Sequence, residues 1–130
     1  MPRHNIQLLF LLVLCTFASG CVAVSMHSTR DVRLTVTEPA SGAPAAHIPV
    51  SADYDYDSYG WFYFANTPHS ESATTDELGQ VTLPLADYRY GVVLNVGKAV
   101  VILDKEAVRH GGVVSAYRGP LRYTVQLNPL

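Results

Sequence analysis

With 130 residues, 48% of them hydrophobic, the chain can build one modest core and little more. Nine Lys and Arg stand against eleven Asp and Glu with no basic stripe. That argues against nucleic acid as a partner and against electrostatic attachment to anionic lipid. Its two cysteines, Cys15 and Cys21, do not suggest a disulfide framework, because the first lies inside an apolar leader.

Arg3 precedes an apolar stretch from Leu8 to Ala18. This is a charged n-region and an h-region of about 7 to 15 residues, as a secretory signal requires, and it is too short to span a bilayer. Ala18-Ser19-Gly20-Cys21 then resembles the bacterial lipobox, usually Leu-Ala/Ser-Gly/Ala-Cys, with alanine in the leucine position. The resemblance implies a lipoprotein signal peptide over 1–20, cleavage before Cys21 and a diacylglyceryl group on its thiol. The mature chain would carry eight Lys and Arg against eleven acids, a charge of −3, and no free thiol. Two or three acyl chains, at about 0.8 kcal/mol per buried CH₂, make such an anchor effectively permanent. Val22 rather than aspartate follows Cys21. By the sorting rule of enteric bacteria, that favours the periplasmic face of the outer membrane within the cell envelope.

Residues 21–31 read as a lipidated tether and 32–130 as a β-domain. Val32, Leu34 and Val36 alternate with polar residues, the period of a half-buried strand. Pro39 to Pro44 breaks it. From Ile48 the alternation resumes, with Val50, Ala52, Tyr54 and Tyr56 on one face and Ser51, Asp53, Asp55 and Asp57 on the other. Ser58-Tyr59-Gly60 marks a turn, and Trp61 to Phe64 reads as a strand buried on both faces. Asn66 to Thr75 is polar and reads as a loop with room for a short edge strand.

Asp76-Glu77-Leu78-Gly79 is a turn, since aspartate can bond to backbone two residues on and glycine can take a positive φ. Val81, Leu83 and Leu85 follow, with Pro84 marking a strand end or an edge. Tyr88 to Val96 alternates again, and Ala99 to Leu103 is apolar. Asp104 to Gly111 is the one helical candidate, capped by those two residues. Leu121, Tyr123, Val125 and Leu127 close the chain as a strand. The pattern gives an all-β fold: a seven- or eight-stranded antiparallel sandwich with one short helix.

Two stretches resemble the prealbumin-like superfamily of transthyretin-like and carboxypeptidase regulatory-like domains. One is Val36-Thr37-Glu38-Pro39-Ala40-Ser41-Gly42-Ala43-Pro44 running on to Val50. The other is Thr74-Thr75-Asp76-Glu77-Leu78-Gly79-Gln80-Val81-Thr82-Leu83 running on to Tyr88. The resemblance implies a prealbumin-like sandwich and speaks far less to function. One enzyme of that superfamily, hydroxyisourate hydrolase, ends in Tyr-Arg-Gly-Ser. Here Tyr117-Arg118-Gly119 is followed by Pro120 and a further strand, so that activity is a remote alternative.

Asp53, Asp55 and Asp57 are the candidate weak cation site. On a straight strand they sit about 6.6 Å apart, too far to share one calcium unless the strand end curls into the following turn. Tyr59, Trp61 and Tyr63 are the candidate contacts for a ligand or partner, tyrosine and tryptophan being rigid and amphipathic. His27, His47, His69 and His110 lack metal-ligand spacing and read as solvated or locally bonded, with no neighbouring carboxylate or cysteine to suggest a site. No catalytic constellation or cofactor motif is visible. Together these features describe a lipid-anchored, non-catalytic envelope module that binds or adapts, with the membrane and an envelope protein or glycan as partners. A carbohydrate- or peptide-recognition domain using the Trp61 segment is the alternative.

Overall fold

Period-two alternation decides which face of each strand leaves water, and a chain of such strands must curl until those faces meet. The computed structural model describes residues 24–26, 28–59, 64–87 and 91–130, apart from the side chains of 24–26, 57–59, 64 and 65. In chain order the elements are β1 (Val24–Met26), β2 (Thr29–Thr37), β3 (Pro49–Tyr59), β4 (Phe64–Thr74), β5 (Gln80–Ala86), β6 (Val92–Val96), β7 (Ala99–Leu103), α1 (Lys105–His110), β8 (Gly112–Arg118) and β9 (Leu121–Pro129). Every pairing is antiparallel. The strand order is β1-β3-β6-β7-β8-β9-β2-β5, with β4 against the other side of β3, and the sheet nearly closes into a barrel.

Among the described residues the all-β class and a single short helix are as expected, while the strand count and layering are corrected. The described residues hold nine strands, and the single pair Val100↔Tyr117 joins β7 to β8, making one continuous sheet instead of two. Of Asn66 to Thr75, expected as a loop with room for a short edge strand, all but Thr75 belongs to β4. Its polarity suits a strand paired on one edge only, facing water along most of its length. Strand β8 was not anticipated, because Ala116 is its only fully buried residue. β1 and the start of β2 fall within the segment 21–31 expected as a tether.

Inside lie the residues that the alternation singles out: Val32, Leu34 and Val36; Val50, Ala52 and Tyr54; Val81, Leu83 and Leu85; Val92, Leu94 and Val96; Val125 and Leu127. Each large one contributes about 1.5–3 kcal/mol by leaving water. Pro84 is tolerated because β5 ends the strand path, so no ladder bond is lost on its outer side. The helix is built from both ends. The Asp104 carboxylate accepts from the Ala107 amide at 2.8 Å, and the Gly111 amide donates to the Ala107 carbonyl at 2.9 Å. Its one fully buried residue, Val108, enters the core.

The two segments singled out by resemblance meet at one pole. Val36 N–H donates to the Gly79 carbonyl (2.8 Å), and Ala45 N–H donates to the Val36 carbonyl (2.9 Å). Thr75, buried between them, donates its hydroxyl to the Ala45 carbonyl (2.6 Å) and accepts from Ile48 N–H (2.9 Å). Asp76 holds the turn by accepting from the amides of Leu78 and Gln80 at 2.8 and 2.9 Å. The turns at 97–98 and 119–120 share this pole. The start of β2, the ends of β3, β5 and β9, and α1 occupy the opposite one.

Candidate functional site

Side chains opposed across antiparallel strands share a face, so register alone defines the surface outside the barrel. One row runs Asp53, Val93, Ile102 across β3, β6 and β7. The next runs Ser51, Asn95, Val100, Tyr117, Arg122 across β3, β6, β7, β8 and β9. Ile102 is 72% exposed, Tyr117 60% and Val113, four residues before Tyr117 on the same face of β8, 66%. Large apolar side chains this exposed and this close together form a patch rather than scattered singles.

The patch has distinct ends. At one, the Asn95 amide donates to Ser51 Oγ (3.2 Å) and to Asp53 Oδ2 (2.9 Å). At the other, the Arg122 guanidinium lies 5.9 Å from the Tyr117 ring centroid, a cation–π contact. Between them Val100, Val101, Ile102 and Tyr117 line an open depression of about 360 Å³. A second one of about 400 Å³ lies where β6 parts from β3, lined by Asp53, Asp55, Pro68, Ser70, Gly91 and Val93 among others. Val93 borders the second and pairs with Ile102 of the first, so the two are neighbours. Polar, aliphatic and aromatic–cationic groups thus follow in sequence along one face.

Of the candidate cation ligands, Asp53 and Asp55 are exposed on that outer face, with Asp53 already bonded to Asn95. The side chain of Asp57 lies outside the described residues. Among the described residues no three His, Cys, Asp or Glu side chains gather as a metal site. Cys21, His27, Trp61 and Tyr63 also lie outside the described residues, as do Tyr88 and Tyr90. Tyr59 is described for its backbone alone.

Two histidines are locally bonded, to carboxylates that the sequence reading did not pair with them. His69 Nε2 sits 2.7 Å from Glu71 Oε1, and His110 Nε2 lies 3.2 Å from Glu106 Oε2. Both pairs are local, i,i+2 along one face of a strand and i,i+4 on a helix, and those spacings are legible in the sequence once β4 is read as a strand. His69 opposes Tyr54 across β3–β4, their ring centroids 5.2 Å apart, and stands 6.0 Å from Tyr56. Burial, and secondarily the Glu71 charge, push the Tyr54 phenol above its ordinary value.

A second polar knot binds the opposite pole. The half-exposed Arg30 places Nε 3.9 Å from Asp87 Oδ2 and donates to the Arg109 carbonyl at 3.2 Å, and Arg109 Nε donates to the Asp87 carbonyl at 2.8 Å. This ties the start of β2, the end of β5 and α1 together, which is a structural duty. No protein-family model, no curated protein and no solved structure matches the chain.

Proposed function

We propose that this chain is a lipid-anchored, non-catalytic β-domain of the bacterial envelope that binds or adapts, held to the membrane through Cys21. The observation that carries the binding role is the exposed Val93–Ile102–Val100–Tyr117 strip, with Asn95–Asp53 at one end and Arg122 at the other. Apolar surface rimmed by polar groups and anchored on a tyrosine has the composition of a protein–protein contact. The finer fold reading, a prealbumin-like domain, is supported by the interlocking of the two turn segments that carry the resemblance. Periplasmic residence at the outer membrane follows from Val22 in the same reading.

The test is site-specific photocrosslinking in intact cells. A photoreactive residue at Ile102 should give a discrete higher-mass adduct, whereas one at Thr82, exposed on β5 away from the strip, should give none. Equal behaviour at the two positions would defeat the assignment. The alternative, a carbohydrate- or peptide-recognition role for Tyr59, Trp61 and Tyr63, predicts that aromatic substitutions there abolish glycan or peptide retention while Ile102→Lys leaves it unchanged.

A further inference from the structure

The exposed strip runs across β3, β6, β7, β8 and β9, with β7 as its middle strand. The outward positions of β6, β7 and β8, from Val93 to Tyr117, carry no charge. Charge stands at the two margins with opposite sign, Asp53 on β3 and Arg122 on β9. Both groups lean toward the centre. Asp53 Oδ2 accepts from the Asn95 amide on β6 at 2.9 Å, and the Arg122 guanidinium lies 5.9 Å from the Tyr117 ring centroid on β8.

Such a surface is complementary to itself. Two copies that meet through one patch are related by a two-fold axis between them, so that residue i meets j and j meets i. Were the axis to run across the strands, Asp53 would face Asp53 and Arg122 would face Arg122, like charges that oppose association. With the axis along β7, the β3 margin of one copy lies over the β9 margin of the other. Arg122 then comes over Ser51 and reaches Asp53, two residues along, and symmetry makes this pair twice. Val100 and Ile102, on the axis, meet their own counterparts, and Tyr117 comes over Asn95. One operation therefore matches opposite charges at both margins and apolar side chains at the centre.

At ~4.8 Å between strands and ~3.4 Å per residue, the strip measures about 19 Å across and about 14 Å from Val113 to Tyr117. Two such faces bury on the order of 500 Å², well under the ~1,200 Å² of a stable complex. The pairing is accordingly transient and grows with local concentration, which confinement of many copies on one membrane would raise.

We propose that the strip is a reversible homotypic contact, on which a second copy of this chain docks face to face about a two-fold axis along β7. This rests on the binding role already given to the strip. Full-length chains carrying Ile102→Cys or Thr82→Cys are treated in isolated membranes with a short bismaleimide, the unsubstituted chain giving the background and immunoblotting matching the amounts. Ile102→Cys should yield a species of twice the chain's mass, and Thr82→Cys should not. In the Ile102→Cys background, Asp53→Arg or Arg122→Asp alone should cut that yield at least about threefold, since each turns two attractive pairs into repulsive ones. The two reversals together should restore it to within about twofold.

A photocrosslink from position 102 to a different protein, with no doubled species, overturns the second copy and leaves the strip as a binding surface. No adduct of any kind at position 102 removes the strip's binding role and this proposal together. A doubled species that neither single reversal weakens, or that the paired reversal fails to restore, overturns the two-fold arrangement. Equal doubling at positions 82 and 102 overturns the contact as collision alone.

Discussion

Gly79→Ala separates the packing of the turn pole from mere backbone preference. Gly79 has φ +73°, and a Cβ there would stand 2.4 Å from the Val36 carbonyl oxygen and 3.1 Å from the Ala45 nitrogen. An ordinary C···O contact is about 3.3 Å or longer, so backbone must retreat by nearly an ångström. That retreat strains the Val36–Gly79 and Ala45–Val36 hydrogen bonds, each contributing about 0.5–1.5 kcal/mol net. Left-handed backbone adds about 1–2 kcal/mol for alanine. Together the cost is about 2–5 kcal/mol. Gly42 is the control, since its φ is +68° and a Cβ there meets nothing within 4 Å. Gly42→Ala should therefore cost only the backbone part, about 1–2 kcal/mol. In denaturant unfolding of the Cys21→Ser mature chain, Gly79→Ala should fall below Gly42→Ala by at least about 1 kcal/mol, or about 4–8 °C in melting temperature for a domain of this size. Equal losses at the two glycines would refute the interlocked turns.

Thr75→Val should destabilise by about 2–4 kcal/mol because it strands the Ala45 carbonyl and the Ile48 amide, whereas Thr75→Ser, keeping the hydroxyl, should cost under about 1 kcal/mol by the same unfolding assay. The Tyr54 phenol is raised in the folded state, so the unfolded chain ionises it first and binds fewer protons. Its contribution is intact below about pH 10 and declines as pH rises toward the folded value, so Tyr54→Phe should lose less stability than wild type above about pH 10. An identical alkaline decline in the two would contradict that. Millimolar calcium should move the melting temperature by less than about two degrees, because a weak site well below saturation contributes almost nothing. A rise of about ten degrees that Asp55→Asn abolishes would establish a cation site on the acidic run.

The sequence made the barrel's interior legible because inward residues on β2, β3, β5, β6 and β9 are consistently apolar. The caps of α1 were equally plain, since Asp104 and Gly111 each have a specific backbone task. β4 read as a loop with room for no more than a short edge strand because its inward positions are His69, Glu71 and Ala73, not a run of aliphatics, and its pairing is dictated by β3 rather than by its own periodicity. β8 escaped notice for the opposite reason: Val113 and Tyr117 face outward and are exposed, so the hydrophobic residues mark the surface instead of the core. The same inversion hid the candidate binding strip. Val100 and Ile102 belong to an uninterrupted apolar run that marks neither face, and only the register with Val93 and Tyr117 turns them into a surface.

The proposed anchor depends on one thiol, that of Cys21. Cells expressing the wild-type chain and Cys21→Ser are fed an alkyne-bearing fatty acid, and the immunoprecipitated protein is examined for label and intact mass. Lipidation at Cys21 predicts label and a mass increase equal to the diacylglyceryl group on a chain that begins at residue 21, both lost in Cys21→Ser, whose precursor stays uncut. Label that survives the substitution, or a wild-type chain cleaved elsewhere and carrying none, would contradict it.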